Sequence, residues 1–289
     1  MTSGASAGRY AERYLSAQDG LRLYYRDYGD PLSARLPVLC LAGLTRNSRD
    51  FEPFATRIAA ERRVLSPDYR GRGLSAYDTD WRNYQALVYL NDVLHLLAAA
   101  GIERCVVVGT SLGGLLAMGL CAVRPAVVAA LVLNDIGPDI AGTGLARITA
   151  WISEDKPQPD WETAEKFIRT ALAHLPIKDD ATWRNLTRGT FREGADGKLH
   201  FDYDTALVRG MLHDRASIPD LWPMFRATAG VPTLLLRGEA SDVLTEEGLA
   251  KMVAVRPDLL HVTVRDAGHV PSLVEPESRQ ALDDFLARF

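Results

Sequence analysis

The sequence predicts an α/β fold: a mostly parallel central β-sheet with helices on both faces, interrupted by an inserted helical cap. Three observations carry this. Short runs rich in leucine and β-branched residues recur ("PVLCLAG", "RRVLSPDY", "CVVVG", "ALVLND", "VPTLLLRG" and "LLHVTVRDAG"), closing at or beside Gly, Asp or Asn. Unbroken apolar runs of this length mark strands buried on both faces, as in parallel sheets, and the stretches between them carry helical spacing. The alternation stops after "LVLNDIGP" and resumes at "VPTLLLRG", about ninety residues later, which is too long for one strand-to-helix connection.

The elements follow in order. "RYLSAQDGLRLYYRDYG" alternates around Asp19-Gly20, a hairpin turn signal, so an antiparallel edge precedes the parallel strands. Two strand runs follow, and then Asn83 to Ala100 repeats Leu87, Leu90, Leu94 and Leu97 at helical spacing. "CVVVG" and "ALVLND" are the next strands and close the first part of the core, residues 1–137. Residues 138–229 read as the cap, mostly helical in pattern, broken by Pro157, Pro159, Pro176 and Pro219 and holding Trp151, Trp161, Trp183 and Trp222. Such a roof excludes water and presents apolar surface to an acyl or alcohol group. Residues 230–289 complete the core with two strands and a terminal helix from Ala281 to Phe289.

Composition excludes several classes of function. Thirty-three Lys and Arg against 37 Asp and Glu leave a net charge of -4 with no basic stripe for phosphate backbones, so nucleic acid is not an expected partner. The N-terminus lacks the apolar core of a secretory leader and no stretch is long enough for a membrane span, which points to the cytoplasm. Cys40, Cys105 and Cys121 stand singly in apolar segments and read as reduced core thiols, with no metal implied. Gly109 and Gly114 have phosphate-loop spacing, but Leu115 and Leu116 stand where Lys and Ser or Thr are needed. Gly71-x-Gly73-x-x-Ala76, with Asp92 beyond it, matches a dinucleotide fingerprint, but "GLSAYDTDW" does not open a helix. No cofactor is expected.

Gly109-Thr110-Ser111-Leu112-Gly113 is a G-x-S-x-G pentapeptide between a strand and a helix. There the serine sits on a tight turn at the positive end of a helix, a suitable place for a nucleophile. A hydroxyl needs a base within hydrogen-bond reach and a third group to orient that base. Of the six histidines, His269 in "RDAGHVPSLVEP" lies just past the last strand, at the carboxyl edge where open α/β sheets bind ligands. His95, His174, His200, His213 and His261 read as structural or solvated. Asp242 in "LLLRGEASDVL" gives the chain order serine, acid, histidine; Asp135 of "LVLNDIGP" is its rival, and Asp242 is the preferred reading. Two backbone N–H groups should face the developing oxyanion, that of Leu112 and one from "LAGLTRNSRDF", with Leu44 the best candidate.

Taken in order, "GTSLGG", "PDYRGRGLSAYD", "LVLNDIGP", "GEASDVL" and "AGHVP" resemble the pattern of the α/β-hydrolase fold superfamily over essentially the whole chain. The resemblance implies that the arginine-rich loop braces the site with Asp68, Arg70 and Arg72. Members with Asp at the elbow are dehalogenases or epoxide hydrolases, and Ser111 argues against both. The family often has His-Gly where this chain has Ala42-Gly43, a change that backbone donors survive. The expectation is a cofactor-free serine hydrolase cleaving a small to medium apolar carboxylic ester through an acyl-enzyme. A lactonase is the nearest alternative; carbon-carbon bond hydrolases and perhydrolases share the triad, and a ligand receptor on the same scaffold is the non-enzymatic one.

Overall fold

In the computed structural model, residues 10–142, 144, 146–147, 152, 154–173, 175–209 and 220–289 are described; Trp151, His174, His213 and Pro219 lie outside them. The N-terminal alternation becomes a hairpin of β1 (Tyr10–Ser16) and β2 (Arg22–Tyr28), antiparallel with Ser16 opposite Arg22. Its turn is held by the Leu21 amide donating to Asp19, and Gly20 takes the left-handed φ of 86°. The sheet then runs β1, β2, β4 (Val64–Asp68), β3 (Val38–Leu41), β5 (Cys105–Thr110), β6 (Val128–Asn134), β9 (Thr233–Gly238) and β10 (Leu260–Val264). From β4 onward every pairing is parallel.

Every residue of β3, β4, β5, β6 and β9 is buried, as unbroken apolar runs require. Each buried valine or leucine contributes about 1.5–3 kcal/mol, so the middle of the sheet is where stability concentrates. Helices α1 (Glu52–Ile58), α2 (Ala86–Ala99) and α3 (Leu112–Val123) alternate with the first strands. Between β6 and β9 come α4 (Trp161–Ala171), α5 (Asp180–Thr190) and α6 (Trp222–Arg226), and α7 (Glu246–Val255) and α8 (Pro276–Leu286) complete the set named here. On α2 the buried stripe is Tyr89, Leu90, Val93, Leu96 and Leu97, with Leu87 turned to solvent at 71% exposure. The leucine count alone set that face one residue off.

The segment between β6 and β9 is not purely helical. Asp160 and Asp179 cap α4 and α5 by accepting from the amides of Thr163 and Thr182. A two-stranded hairpin, β7 (Phe191–Glu193) and β8 (Leu199–Phe201), follows them. The hairpin's aromatic side chains hold it: Phe201 stacks on Phe191 at 5.1 Å and on Tyr203 at 5.0 Å. The same strip is stitched to the loop after β4, where Gly73 N–H donates to the Asp202 carbonyl and Asp204 N–H to that of Gly71.

Candidate active site

The elbow at Ser111 is set by close packing. A Cβ on Gly113 would lie 1.9 Å from the Leu41 carbonyl oxygen, and one on Gly109 2.4 Å from that of Gly113, so strand and helix meet only with glycine at both positions. Ser111 takes φ 51° and ψ −116°, a conformation costing about 1–3 kcal/mol that the surrounding packing maintains. Its amide donates to the Asn134 carbonyl, and Ser111 itself is the residue before α3, at the helix's positive end.

His269 Nε2 lies 3.0 Å from Ser111 Oγ. Its Nδ1 lies 2.7 Å from Asp135 Oδ2, with the His269 and Asp135 side chains only 8% and 0% exposed. This corrects the placement expected from sequence, which set Asp242 against His269. Asp242 instead receives two hydrogen bonds from Arg147, at 2.7 and 2.8 Å, with both side chains about a third exposed. Arg147, with a smaller contribution from the nearby His269, holds the Asp242 carboxyl below the usual carboxylate range.

The physical reason lies in the strand ends. Asp135 is the first residue beyond β6, kept at φ 57° and tied to β9 by its amide donating to the Leu236 carbonyl at 2.7 Å. Beyond β9 the chain turns, with Ser241 N–H donating to the Gly238 carbonyl. That turn presents the Gly238 amide and the Ser241 hydroxyl to Asp135, at 2.9 and 2.6 Å. Asp242, one residue further, meets Arg147 of the inserted segment.

Asn134 braces the same edge. Its side-chain amide donates to Thr110 Oγ1 at 3.1 Å and to the Pro271 carbonyl at 2.9 Å, tying the histidine loop to β5 and β6. Sequence reasoning passed over Asn134 and Ser241; a polar residue at the end of an otherwise apolar strand was the available signal for Asn134.

The loop after β3 lies beside the elbow: a Cβ on Gly43 would be 3.9 Å from that of Ser111. Among the described residues the backbone amide of Leu44 has no hydrogen-bond partner, and Leu112 opens α3, where amides lack intrahelical acceptors. The loop is held on two sides. From the loop after β4, Tyr69 Oη donates to the Ala42 carbonyl, Arg72 Nε donates to that of Leu44 at 2.9 Å, and Asp68 accepts from the Ser48 amide at 2.7 Å. From the inserted segment, Thr190 accepts from Arg46 at 2.7 Å, and the buried Asp202 accepts from Asn47 at 3.1 Å and from Arg49. Arg70 acts further away, joining Asp92, Asp78 and Asp19.

The remaining candidates separate from this group. Trp183 is buried with Arg169 over its ring, Trp161 has Arg188 over its ring, and Trp222 meets Phe225 edge-on at 5.9 Å. These contacts join parts of the inserted segment to one another. All three cysteines are free and buried; burial pushes the Cys105 and Cys121 thiols up to about 12 and Cys40 well above its ordinary value. His200 sits between Asp155 and Asp196. Among the described residues no helix is long and apolar enough to cross a membrane.

The model of the alpha/beta hydrolase family matches residues 38–283. A 3-hydroxybutyrate-oligomer hydrolase from Cupriavidus necator is 34% identical over 268 residues, 88% of this chain and 89% of that protein. A 2-(acetamidomethylene)succinate hydrolase from Mesorhizobium japonicum is 29% identical over 86% of this chain and 87% of its own length. Among solved structures, an alpha/beta hydrolase from Novosphingobium aromaticivorans superposes with a TM-score of 0.92 at 43% identity, covering 99% of this chain and 100% of that one.

Proposed function

As the chain belongs to the alpha/beta hydrolase family, we propose that it hydrolyses small to medium carboxylic esters through an acyl-enzyme on Ser111, with His269 as the base and Asp135 as the acid that orients it. The observation that carries this reading is the continuous chain Ser111 Oγ, His269 Nε2, His269 Nδ1, Asp135 Oδ2, with links of 3.0 and 2.7 Å. His269 Nε2 takes the hydroxyl proton as Ser111 Oγ attacks the ester carbonyl, and Asp135 stabilises the imidazolium that forms. The tetrahedral oxygen receives the amides of Leu44 and Leu112, each worth about two to three powers of ten in rate. Collapse expels the alcohol with the proton from His269, and water activated by the same imidazole frees the acid. The segment 138–229 acts as the cap over this site.

The relatives guide the choice of acyl group. The Cupriavidus necator protein is named for 3-hydroxybutyrate oligomers, short esters of a small hydroxy acid, and such an oligoester lies within the size class proposed here. The test is stoichiometric labelling by a fluorophosphonate together with turnover of a panel: p-nitrophenyl esters of increasing chain length, a 3-hydroxybutyrate dimer, lactones and amides. Labelling at Ser111 with turnover confined to short and medium esters is the expected result. Labelling that survives Ser111→Ala, or turnover of amides alone, would overturn the reading.

A further inference from the structure

The triad reading leaves one donor unexplained, the hydroxyl of Ser241. This hydroxyl shares Asp135 Oδ2 with His269, at 2.6 Å against 2.7 Å for the imidazole. A serine hydroxyl has one proton and two lone pairs. The amides of Val243 and Leu244 donate to Ser241 Oγ at 3.3 and 3.1 Å. With both lone pairs engaged, the proton has one remaining direction, toward Asp135. The hydroxyl cannot rotate away without abandoning two backbone amides, so it is a fixed donor.

We propose that Ser241 is a positioning residue for the triad, which sets how strongly Asp135 holds the His269 imidazolium by donating a hydrogen bond to the oxygen that His269 uses. The inference rests on the triad reading above. A second donor draws negative charge off Oδ2 and weakens its grip on the imidazolium. It also fixes the carboxylate plane together with the Gly238 amide on Oδ1 at 2.9 Å. The charged groups facing this arrangement include Asp135 from the end of β6, Asp242 from the loop after β9 with Arg147 paired to it, and the buried Arg237 of β9, which donates to the Leu244 carbonyl in the same turn at 2.9 Å. None of these groups is itself replaced when Ser241 is substituted, and Ser241→Thr, which keeps the acceptor for the Val243 and Leu244 amides, separates the effect of the hydroxyl on Asp135 from any change in the turn that carries Asp242.

The experiment compares wild type, Ser241→Ala and Ser241→Thr, each titrated for active sites with a fluorophosphonate. In Ser241→Ala the undiluted charge on Asp135 stabilises the imidazolium, so the acid limb of the kcat/KM profile moves to higher pH by about one unit. The plateau kcat falls about tenfold, with KM little changed, as the imidazole loses its fixed orientation. Ser241→Thr keeps the hydroxyl and returns the limb toward wild type. The low-field proton resonance of the His269 to Asp135 hydrogen bond gives an independent reading, shifted in Ser241→Ala. If Ser241→Ala labels stoichiometrically but neither limb nor resonance moves, whatever its thermal stability, Ser241 has no part in positioning. Wild-type protein that fails to label at Ser111 would sink the triad reading instead.

Discussion

Asp135→Asn separates the two acids most sharply. The substitution suits the backbone, since asparagine tolerates the left-handed φ of 57° at this position. The Gly238 amide points at Oδ1 and requires an acceptor there, so the carboxamide must set its NH2 where Oδ2 was, facing His269 Nδ1 and the Ser241 proton. Facing a donor, Nδ1 becomes the acceptor and the imidazole proton moves to Nε2, where it meets Ser111 Oγ and blocks general-base catalysis. A wrong tautomer of this kind costs about four powers of ten in kcat, or about 5 kcal/mol of barrier. The opposed Ser241 and asparagine donors also cost about 1–3 kcal/mol of stability. Asp242→Asn breaks only a pair whose side chains are 29% and 35% exposed, a partly screened interaction worth about 1 kcal/mol or less. Its kcat should stay within about fivefold, since at most that much energy is involved. The assay is ester turnover per fluorophosphonate-titrated site at pH 8, with thermal melts as controls. A large loss in Asp242→Asn beside a small one in Asp135→Asn would refute this reasoning.

Other outcomes follow from the same contacts. Ser111→Ala should fold normally while kcat drops by about six powers of ten and fluorophosphonate labelling vanishes. Gly113→Ala pushes a methyl group to 1.9 Å from the Leu41 carbonyl oxygen, so its melting point should fall by about five degrees or more, corresponding to about 3 kcal/mol or more. Asp202→Asn weakens the hold of the inserted segment on Asn47 and Arg49; kcat should fall about tenfold at nearly constant KM if the loop carries an oxyanion donor. Asp155 and Asp196 raise His200 above its ordinary value. Their support is therefore complete below about pH 6.5 and is lost as pH rises through the raised value. Amide protection factors across Arg192 to His200 should fall in that direction.

Much of this was legible in the chain because it depends on local order. Five of the six apolar runs became fully buried strands, while the sixth became β10, the sheet's edge, where only Val264 is fully buried, and Asp19-Gly20 made its turn. The glycines around Ser111 and the loop position of His269 brought those two side chains to hydrogen-bond distance. The acid was misjudged because both aspartates follow strands at the same edge, and a loop decides which way each one points. Register held the answer: Thr110 lies beside Asn134, so Asp135 starts one strand away from Ser111. Asp242 lies a strand further off and four residues into a turn. The hairpin inside the inserted segment was hidden for a different reason, since strands of three residues are too short to show periodicity.

The inserted segment also holds the loop opposite Ser111 in place. From sequence it reads as a roof that selects substrates, so its removal should blur selectivity while Ser111 still reacts. The contacts point to a closer dependence. Arg46, Asn47 and Arg49 follow Leu44 within five residues, and all three bond to Thr190 or Asp202 of the inserted segment. Asp202 is buried at 2% exposure, and burial raises its carboxyl above the usual range despite the arginines around it. The desolvation cost of such a carboxylate is several kcal/mol, offset only while its partners stay in place. Deleting the segment would strip those partners from the loop and leave Asn47 and Arg49 to solvent, freeing the Leu44 peptide on one side. On the proposed reading, substrate selection and oxyanion geometry share one structural support, and turnover should decline together with selectivity when that support is removed.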